Sequence, residues 1–510
     1  MRYKLISCPI QRKEGFMMKR KTIFRLLALF AAVSLWILPP AACGESLSTG
    51  TSIGEKIASI DGVASVEPIR DNLSEWLPEK YLVLVEQQLD WNNPQAGTFL
   101  QRVEVGIHPG AQVNLLETYG YTFLDGDFSA DDQPEIVVLL EANHIKVEHR
   151  LAGESFPEGM NNRSTEGWEY LTTENESGDY HHVYEIMSQV LDGPWVGYGR
   201  SRGGRACSDY ARHYPDDMKG YIPYVGVNPN GLHDPRLMDY VNTKIGDAAF
   251  GKEEAARRRG VMEDFLVECV KNRETLENIL WGNMMENGYS FPEWTTRERL
   301  LDITLLEFQV EFWQNDGDIQ EIEGLLGLPY GDTEEEKNSK ISAMFAVLLK
   351  YGSPVTYSHD HFGFSYFVGA LIDEGHYALD FSRLRAAQEK AGMEDELVIR
   401  PEDEEDLLKN SILDEDQKAD FVFVPGHYEA LDSFVKTTDV NFVFIGGDLD
   451  PWSAVYVDGG DNPHFKSYIL TGKAHNTQIS DFDPETQAEI LETIKSWYHD
   501  EKRNCPDTRK

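Results

Sequence analysis

Residues 194–204 read PWVGYGRSRGG, an apolar run that breaks into a serine fenced by glycines. A serine hydroxyl becomes a nucleophile when an imidazole takes its proton and a carboxylate holds that imidazole in one orientation. The chain offers all three groups. Gly199-Arg200-Ser201-Arg202-Gly203 spells G-x-S-x-G, and flanking glycines of this kind mark a turn too tight for side chains. Further on, VNFVFIGG runs into Asp448-Leu449-Asp450-Pro451-Trp452, and SYILTG runs into Lys473-Ala474-His475-Asn476. Asp450 precedes a proline, which holds it extended and leaves its carboxylate able to accept from an imidazole. Asp448 is the rival acid, and His144 and His149 are rival bases placed before the serine. The bland alternatives are a turn-capping aspartate at 450 and a surface histidine at 475.

Strands and helices must hold these groups. YLVLVEQQLD, QRVEVGI and QVNLLETYG, between residues 81 and 120, read as strands of an opening sheet. PEIVVLLEAN reads as a helix, HIKVEHR as a buried strand, and the second half of 167–191 as a helix. PWVGYG is a strand, RACSDYARHYP a helix opening just after Ser201, and DMKGYIPYVGV a further strand. Alternating strands and helices imply a mostly parallel sheet, and a strand–G-x-S-x-G–helix unit is the nucleophile turn of α/β-hydrolases, whose triad runs Ser, Asp, His. Ser201, Asp450 and His475 keep that order. Residues 231–425 are rich in Glu, Leu, Lys and Arg at helical spacing and read as an inserted helical cap. Within it, PEDEEDLLKNSILDEDQKAD (401–420) reads as a solvated acidic stretch. Residues 44–230 and 426–510 then form the two parts of an α/β-hydrolase core. Acyl transfer also needs donors for the developing oxyanion. The Arg202 amide is one, and the loop after HIKVEHR supplies a second at Arg150 or Leu151. Glu148 and the Arg150 side chain read as buried ion pairing that supports this loop. Arg200 and Arg202 bring charges suited to nearby carboxylates.

Residues 1–43 form a separate segment. They carry eight Lys/Arg and one Glu, +7, in a chain of net charge −40, which leaves about −47 for residues 44–510. A basic start, the apolar run TIFRLLALFAAVSLWIL and the small residues PPAAC describe a secretory signal peptide, with a single membrane anchor as the alternative. Ala41-Ala42-Cys43 also resembles a lipoprotein cleavage site that would acylate Cys43, although Pro40 replaces the usual aliphatic residue. Export is expected either way. With five cysteines in 510 residues no disulfide framework holds the chain. No CxxC or HExxH pair occurs, so neither zinc nor any cofactor is expected. The acidic balance disfavours nucleic acid and anionic membrane surfaces as partners, and any membrane association would come through a lipid on Cys43.

Several stretches are together specific to one family. ANHIKVEHRLAGESFPE, WEYLT, GYGRSRGGRACSDYARHYPDDMKGYIPYVGVNPN and GGDLDPWSA resemble the secreted tripeptidyl and prolyl tri/tetrapeptidyl aminopeptidases, more distantly the lysosomal Pro-X carboxypeptidase and dipeptidyl peptidase II group. The resemblance spans about residues 80–235 and 430–480. It implies a serine exopeptidase with Ser201, Asp450 and His475 as its triad, acting on peptide substrates and releasing short peptides from free N-termini without metal. LIDEGHY resembles a stretch in which an acid meets the substrate amine, so Asp373 and Glu374 are the expected amine-binding residues; a helix-end acidic pair is the bland reading. Two details depart from the family: Glu86-Gln87-Gln88-Leu89-Asp90-Trp91 stands where EQPLDH is usual, and Arg202 where lysine is usual. A carboxylic-ester hydrolase with the same triad, or a catalytically silent peptide-binding lipoprotein, are the competing functions.

Overall fold

The computed structural model describes residues 52–70, 73–123, 133–161, 165–359, 361, 363–393 and 398–499. The signal-peptide and lipid-anchor expectations for residues 1–43 lie outside them. Nine strands form one sheet: β1 (Val63–Ile69), β2 (Glu79–Gln88), β3 (Thr98–Ile107), β4 (Asn114–Thr118), β5 (Asn143–Val147), β6 (Trp195–Arg200), β7 (Tyr221–Tyr224), β8 (Phe442–Gly447) and β9 (Phe465–Leu470). Their order is β1-β2-β3-β5-β4-β6-β7-β8-β9. The first three are joined antiparallel and β3 pairs antiparallel with β5, while every pair from β5 to β9 is parallel. The central parallel strands are buried on both faces, which is why they read as apolar runs without alternation. Helices cover both sides. Tyr180, Val183, Tyr210 and Ala211 pack on one face, and Ile136, Val137, Ile490 and Ile494 on the other. This is the α/β-hydrolase arrangement.

Between β7 and β8 the described residues contain helices and no strand. Helices Lys252–Lys271, Arg273–Glu286, Arg297–Gln314 and Glu334–Tyr351 enclose an apolar interior of their own, with Phe265, Phe308, Phe312 and Leu348 buried in it. The acidic stretch 401–420 departs from the sequence reading: it contains a helix, Leu407–Ile412, and Leu407, Leu408, Ile412 and Leu413 are buried. Its leucines follow the helical period between the charges, so the segment is half core and half solvated face. The first helix (Ile53–Ile57) and β1 were not anticipated. β1 has a mixed burial pattern, and strands of that kind carry little periodic signal.

The tightest backbone packing lies at the turn after β6. A Cβ at Gly199 would stand 2.1 Å from the Gly203 carbonyl oxygen, and one at Gly203 would stand 2.1 Å from the Thr118 carbonyl oxygen. Gly203→Ala should therefore lower stability in a denaturant titration by about 1–3 kcal/mol or more, because the obstacle is backbone. Gly260 is the control: it lies inside helix Lys252–Lys271 with nothing within 4 Å of its Cβ position. Gly260→Ala should raise stability by about 0.5–1 kcal/mol through helix propensity.

Candidate active site

Ser201 directly follows β6 and caps helix Arg202–His213 with φ 59° and ψ −122°. A non-glycine residue held at positive φ is strained, and such strain concentrates where a side chain must be presented. The flanking glycines let the chain turn within van der Waals contact of β4, and the serine points into a cavity of about 380 Å³ lined by Tyr121, Glu307, Glu311, Gln314, Tyr366, Trp452 and His475 among others. His475 follows β9 and lines the same cavity. Its Nδ1 lies 2.6 Å from Asp450 Oδ2. Asp450, at the end of β8, is fully buried; Tyr456 donates its hydroxyl to Oδ2 at 2.6 Å and the Trp452 amide donates to Oδ1 at 3.1 Å. Asp448 faces another way, accepting from the Gly472 amide at 2.7 Å. The three sequence candidates thus come from three strand ends at one edge of the sheet. Ser201 and His475 line one cavity, and His475 is bonded to the buried Asp450, the set of groups that acyl transfer requires.

The arginines around the serine act as fasteners. Arg200 donates to the carbonyls of His475 (2.8 Å) and Thr477 (2.9 Å), tying the serine turn to the histidine loop and not to a carboxylate. Arg202 does meet a carboxylate: its guanidinium lies 2.6 Å from Glu374, and Arg205 binds the other oxygen of the same group at 2.9 Å.

Two expectations are corrected here. Leu151 does not stand where an oxyanion donor must: its amide donates to the Ser155 carbonyl at 2.9 Å and its side chain is buried in the apolar interior. Arg150 is equally committed, its guanidinium binding Asp179 and the carbonyls of Gln88, Leu89 and Tyr170. Glu148 pairs with Arg102, so both side chains of that loop are in buried ion pairs, as read. The reason is sheet order. β4, not β5, lies beside β6, and its loop passes so close that a Cβ at Gly120 would be 2.7 Å from the Gly203 amide. The next residue, Tyr121, lines the cavity, and its phenol is hydrogen-bonded with the Ser201 side chain. The sequence signal was present in QVNLLETYGY, the last strand-like run before the helix that precedes HIKVEHR.

Asp373 and Glu374 also fall elsewhere. Both are buried and neither lines the cavity. Glu374 is neutralised by the two guanidiniums. Asp373 accepts from the Thr173 amide and hydroxyl at 3.0 Å each, and burial pushes its carboxyl up to about 6. The acids that reach the cavity are Glu307 and Glu311, one turn apart on helix Arg297–Gln314. Glu307 accepts from the hydroxyls of Tyr357 (2.8 Å) and Tyr377 (2.7 Å). Glu311 is only partly covered; burial, then the charges of Glu307 and Asp450, push it up to about 7 against the opposing Asn315 hydrogen bond. Burial holds His361 and His376, also in the lining, down to about 4, so both are neutral. Among the described residues, His149, Glu176 and Glu374 alone approach metal-ligand spacing. The guanidiniums on Glu374 already put positive charge where a cation would sit.

A parallel sheet with a strained serine turn and a buried Asp–His pair defines a serine hydrolase of the α/β type. The chain matches PS-10 peptidase S37 over residues 49–323, more than half its length, and belongs to that peptidase family. The matched region ends before Asp450 and His475. The chain is 24% identical over 263 residues to the prolyl tri/tetrapeptidyl aminopeptidase of Streptomyces mobaraensis, an alignment covering 51% of this chain and 50% of that protein, so it spans about half the length of that relative. Among solved structures it is similar to the proline iminopeptidase of Mycobacterium smegmatis (10% identity, 79% of this chain and 96% of that one, TM-score 0.31). It is likewise similar to a lipase in its open form (12% identity, 82% and 100%, TM-score 0.30). The order and direction of the strands define the α/β-hydrolase fold. Among the described residues no helix is long and apolar enough to cross a membrane.

Two substitutions test the constellation. Ser201→Ala should abolish all but about a thousandth of the turnover or less, with unchanged unfolding, as loss of such a nucleophile commonly does. Asp450→Asn should depress kcat far more than Asp448→Asn, because only Asp450 holds the imidazole. The reverse ranking in steady-state kinetics would reassign the acid.

Proposed function

We propose that this chain is an exported serine exopeptidase that releases short peptides, chiefly tripeptides, from free N-termini. Ser201 attacks the scissile carbonyl while His475 takes its proton and later returns it to the leaving amine. Asp450 keeps the imidazole in the tautomer this requires. The Arg202 amide and Tyr121, from the loop beside the turn, face the developing oxyanion. Water then releases the acyl group, with His475 as base.

The observation that carries the reading is the acid pair Glu307–Glu311 in the same cavity as Ser201 and His475. A carboxylate in a partly enclosed site is a partner for an ammonium, and a charge-assisted pair fixes the substrate in one register. Glu307 is held by two tyrosines; Glu311 is the freer member and takes the larger share. The relative from Streptomyces, named for removing tri- and tetrapeptides, supports peptide over ester substrates and a short product. Export rests on the pattern of residues 1–43, with Cys43 as the attachment point if the chain is lipidated.

N-acetylation of the substrate removes the ammonium and should reduce kcat/KM on the order of tenfold to a hundredfold, the worth of a charge-assisted hydrogen bond. Glu311→Gln should weaken free peptides and narrow that gap. The sign of the pH dependence follows from the raised Glu311 pKa of about 7. Below it the carboxyl is neutral and cannot pair, so KM for free peptides should fall as pH rises through this range. It should rise again as the substrate amine deprotonates near about 8. In Glu311→Gln the fall is lost. Equal cleavage of blocked and free peptides would replace this reading with an endopeptidase or an esterase.

A further inference from the structure

Helix Arg297–Gln314 presents Glu307, Glu311 and Gln314 to the cavity. Its last residue reaches the Asp450–His475 pair twice. Gln314 Oε1 accepts from Trp452 Nε1 at 2.6 Å, and the Gln314 carbonyl accepts from the His475 amide at 3.3 Å. Trp452 is the residue whose own amide donates to Asp450 Oδ1. Its indole also meets the Tyr377 ring edge-on, centroids 5.3 Å apart, and Tyr377 donates to Glu307.

These contacts close a ring. It runs from Glu307 through Tyr377 and Trp452 to Asp450 and His475, and returns through Gln314 along the helix to Glu307. The acid end of the cavity and the Asp–His pair therefore share one packed unit. Close-packed groups pass small displacements on to their neighbours, and an imidazole misplaced by a fraction of an ångström loses rate. A substrate ammonium arriving at Glu307 and Glu311 changes the charge that the Tyr377 hydroxyl faces. That tyrosine is the ring's link to Trp452.

We infer that Gln314 is a positioning residue: through its bond to Trp452 it makes the setting of Asp450 and His475 depend on whether the Glu307–Glu311 end holds a substrate ammonium. The inference rests on the exopeptidase reading and says how that enzyme senses a free N-terminus. Amine recognition then acts on kcat as well as on KM, so part of the binding energy is realised only in the transition state.

The test measures kcat and KM for a free peptide and its N-acetyl twin with wild type, Gln314→Leu, Gln314→Glu and Trp452→Phe. Thermal unfolding and labelling of Ser201 by a serine-directed covalent reagent accompany each. In wild type, acetylation should lower kcat and raise KM. Gln314→Leu should lose about two- to tenfold in kcat on the free peptide alone, the worth of one hydrogen bond. The kcat gap then closes while the KM gap stays. Trp452→Phe deletes the same bond from the donor side and should behave alike, even if Gln314→Leu fails to fold. Gln314→Glu keeps an acceptor and should restore the gap. A kcat gap that survives in Gln314→Leu or Trp452→Phe overturns the inference. So does equal loss on both peptides, the mark of a mere tether, or a wild-type discrimination confined to KM. Wild type that neither labels at Ser201 nor discriminates between the peptides sinks the exopeptidase reading first.

Discussion

Behind Ser201, one carboxylate holds two guanidiniums away from water. Glu374, Arg202 and Arg205 have side-chain exposures of 4%, 2% and 3%. Removing one partner of such a cluster strands a buried charge at about 3–5 kcal/mol, although the intact pairing adds little net stability. What it contributes is position. Arg202 follows Ser201 in the chain, and Glu374 ends the helical segment that brings Tyr366 and Phe367 to the cavity wall. The wall built by residues between β7 and β8 is thus referenced directly to the serine turn. Asp373 adds a second fastening, to the start of helix Thr173–Met187.

The cavity this produces has unequal ends. Carboxylates crowd one side: burial and the charges of Glu307 and Asp450 raise the proton affinity of Glu311, the acid of the pair that is left partly open. Neutral rings (Tyr121, Tyr357, Tyr366, Phe367, His361 and His376) make up much of the rest. An anionic peptide end would meet like charge with little water to screen it, whereas an ammonium would relieve the crowding. A chain of net charge −40 strengthens the same preference at longer range.

The alternation of strands and helices was legible because parallel strands buried on both faces have a distinctive apolar pattern, as in PWVGYG and VNFVFIGG. The positions of Ser201, Asp450 and His475 were legible for a related reason: each residue sits just past the end of such a strand, where open α/β sheets build sites. What could not be read was adjacency in the sheet. Chain order places HIKVEHR immediately before the nucleophile unit, so its loop looked like the neighbour of Ser201. The actual crossover sets β4 beside β6, so Tyr121 from the loop after β4, and not Leu151, lines the cavity beside Ser201.

The misplaced acids teach the complementary lesson. Asp373 and Glu374 are consecutive in a π-helical turn, Ala370–Glu374, so their carboxylates diverge, one to Thr173 and the other to the arginines. Two acids that must serve one ligand need the same face, which on a helix means a spacing of three or four. Glu307 and Glu311 have it, in TRERLLDITLLEFQVEFW, where they were hidden among leucines that bury the rest of the helix. A glutamate in so apolar a run carries a heavy desolvation cost unless it is partnered. Glu307 is partnered by two tyrosines from distant parts of the chain, and no local pattern could announce them. Glu311, with fewer partners, stays poised near neutrality.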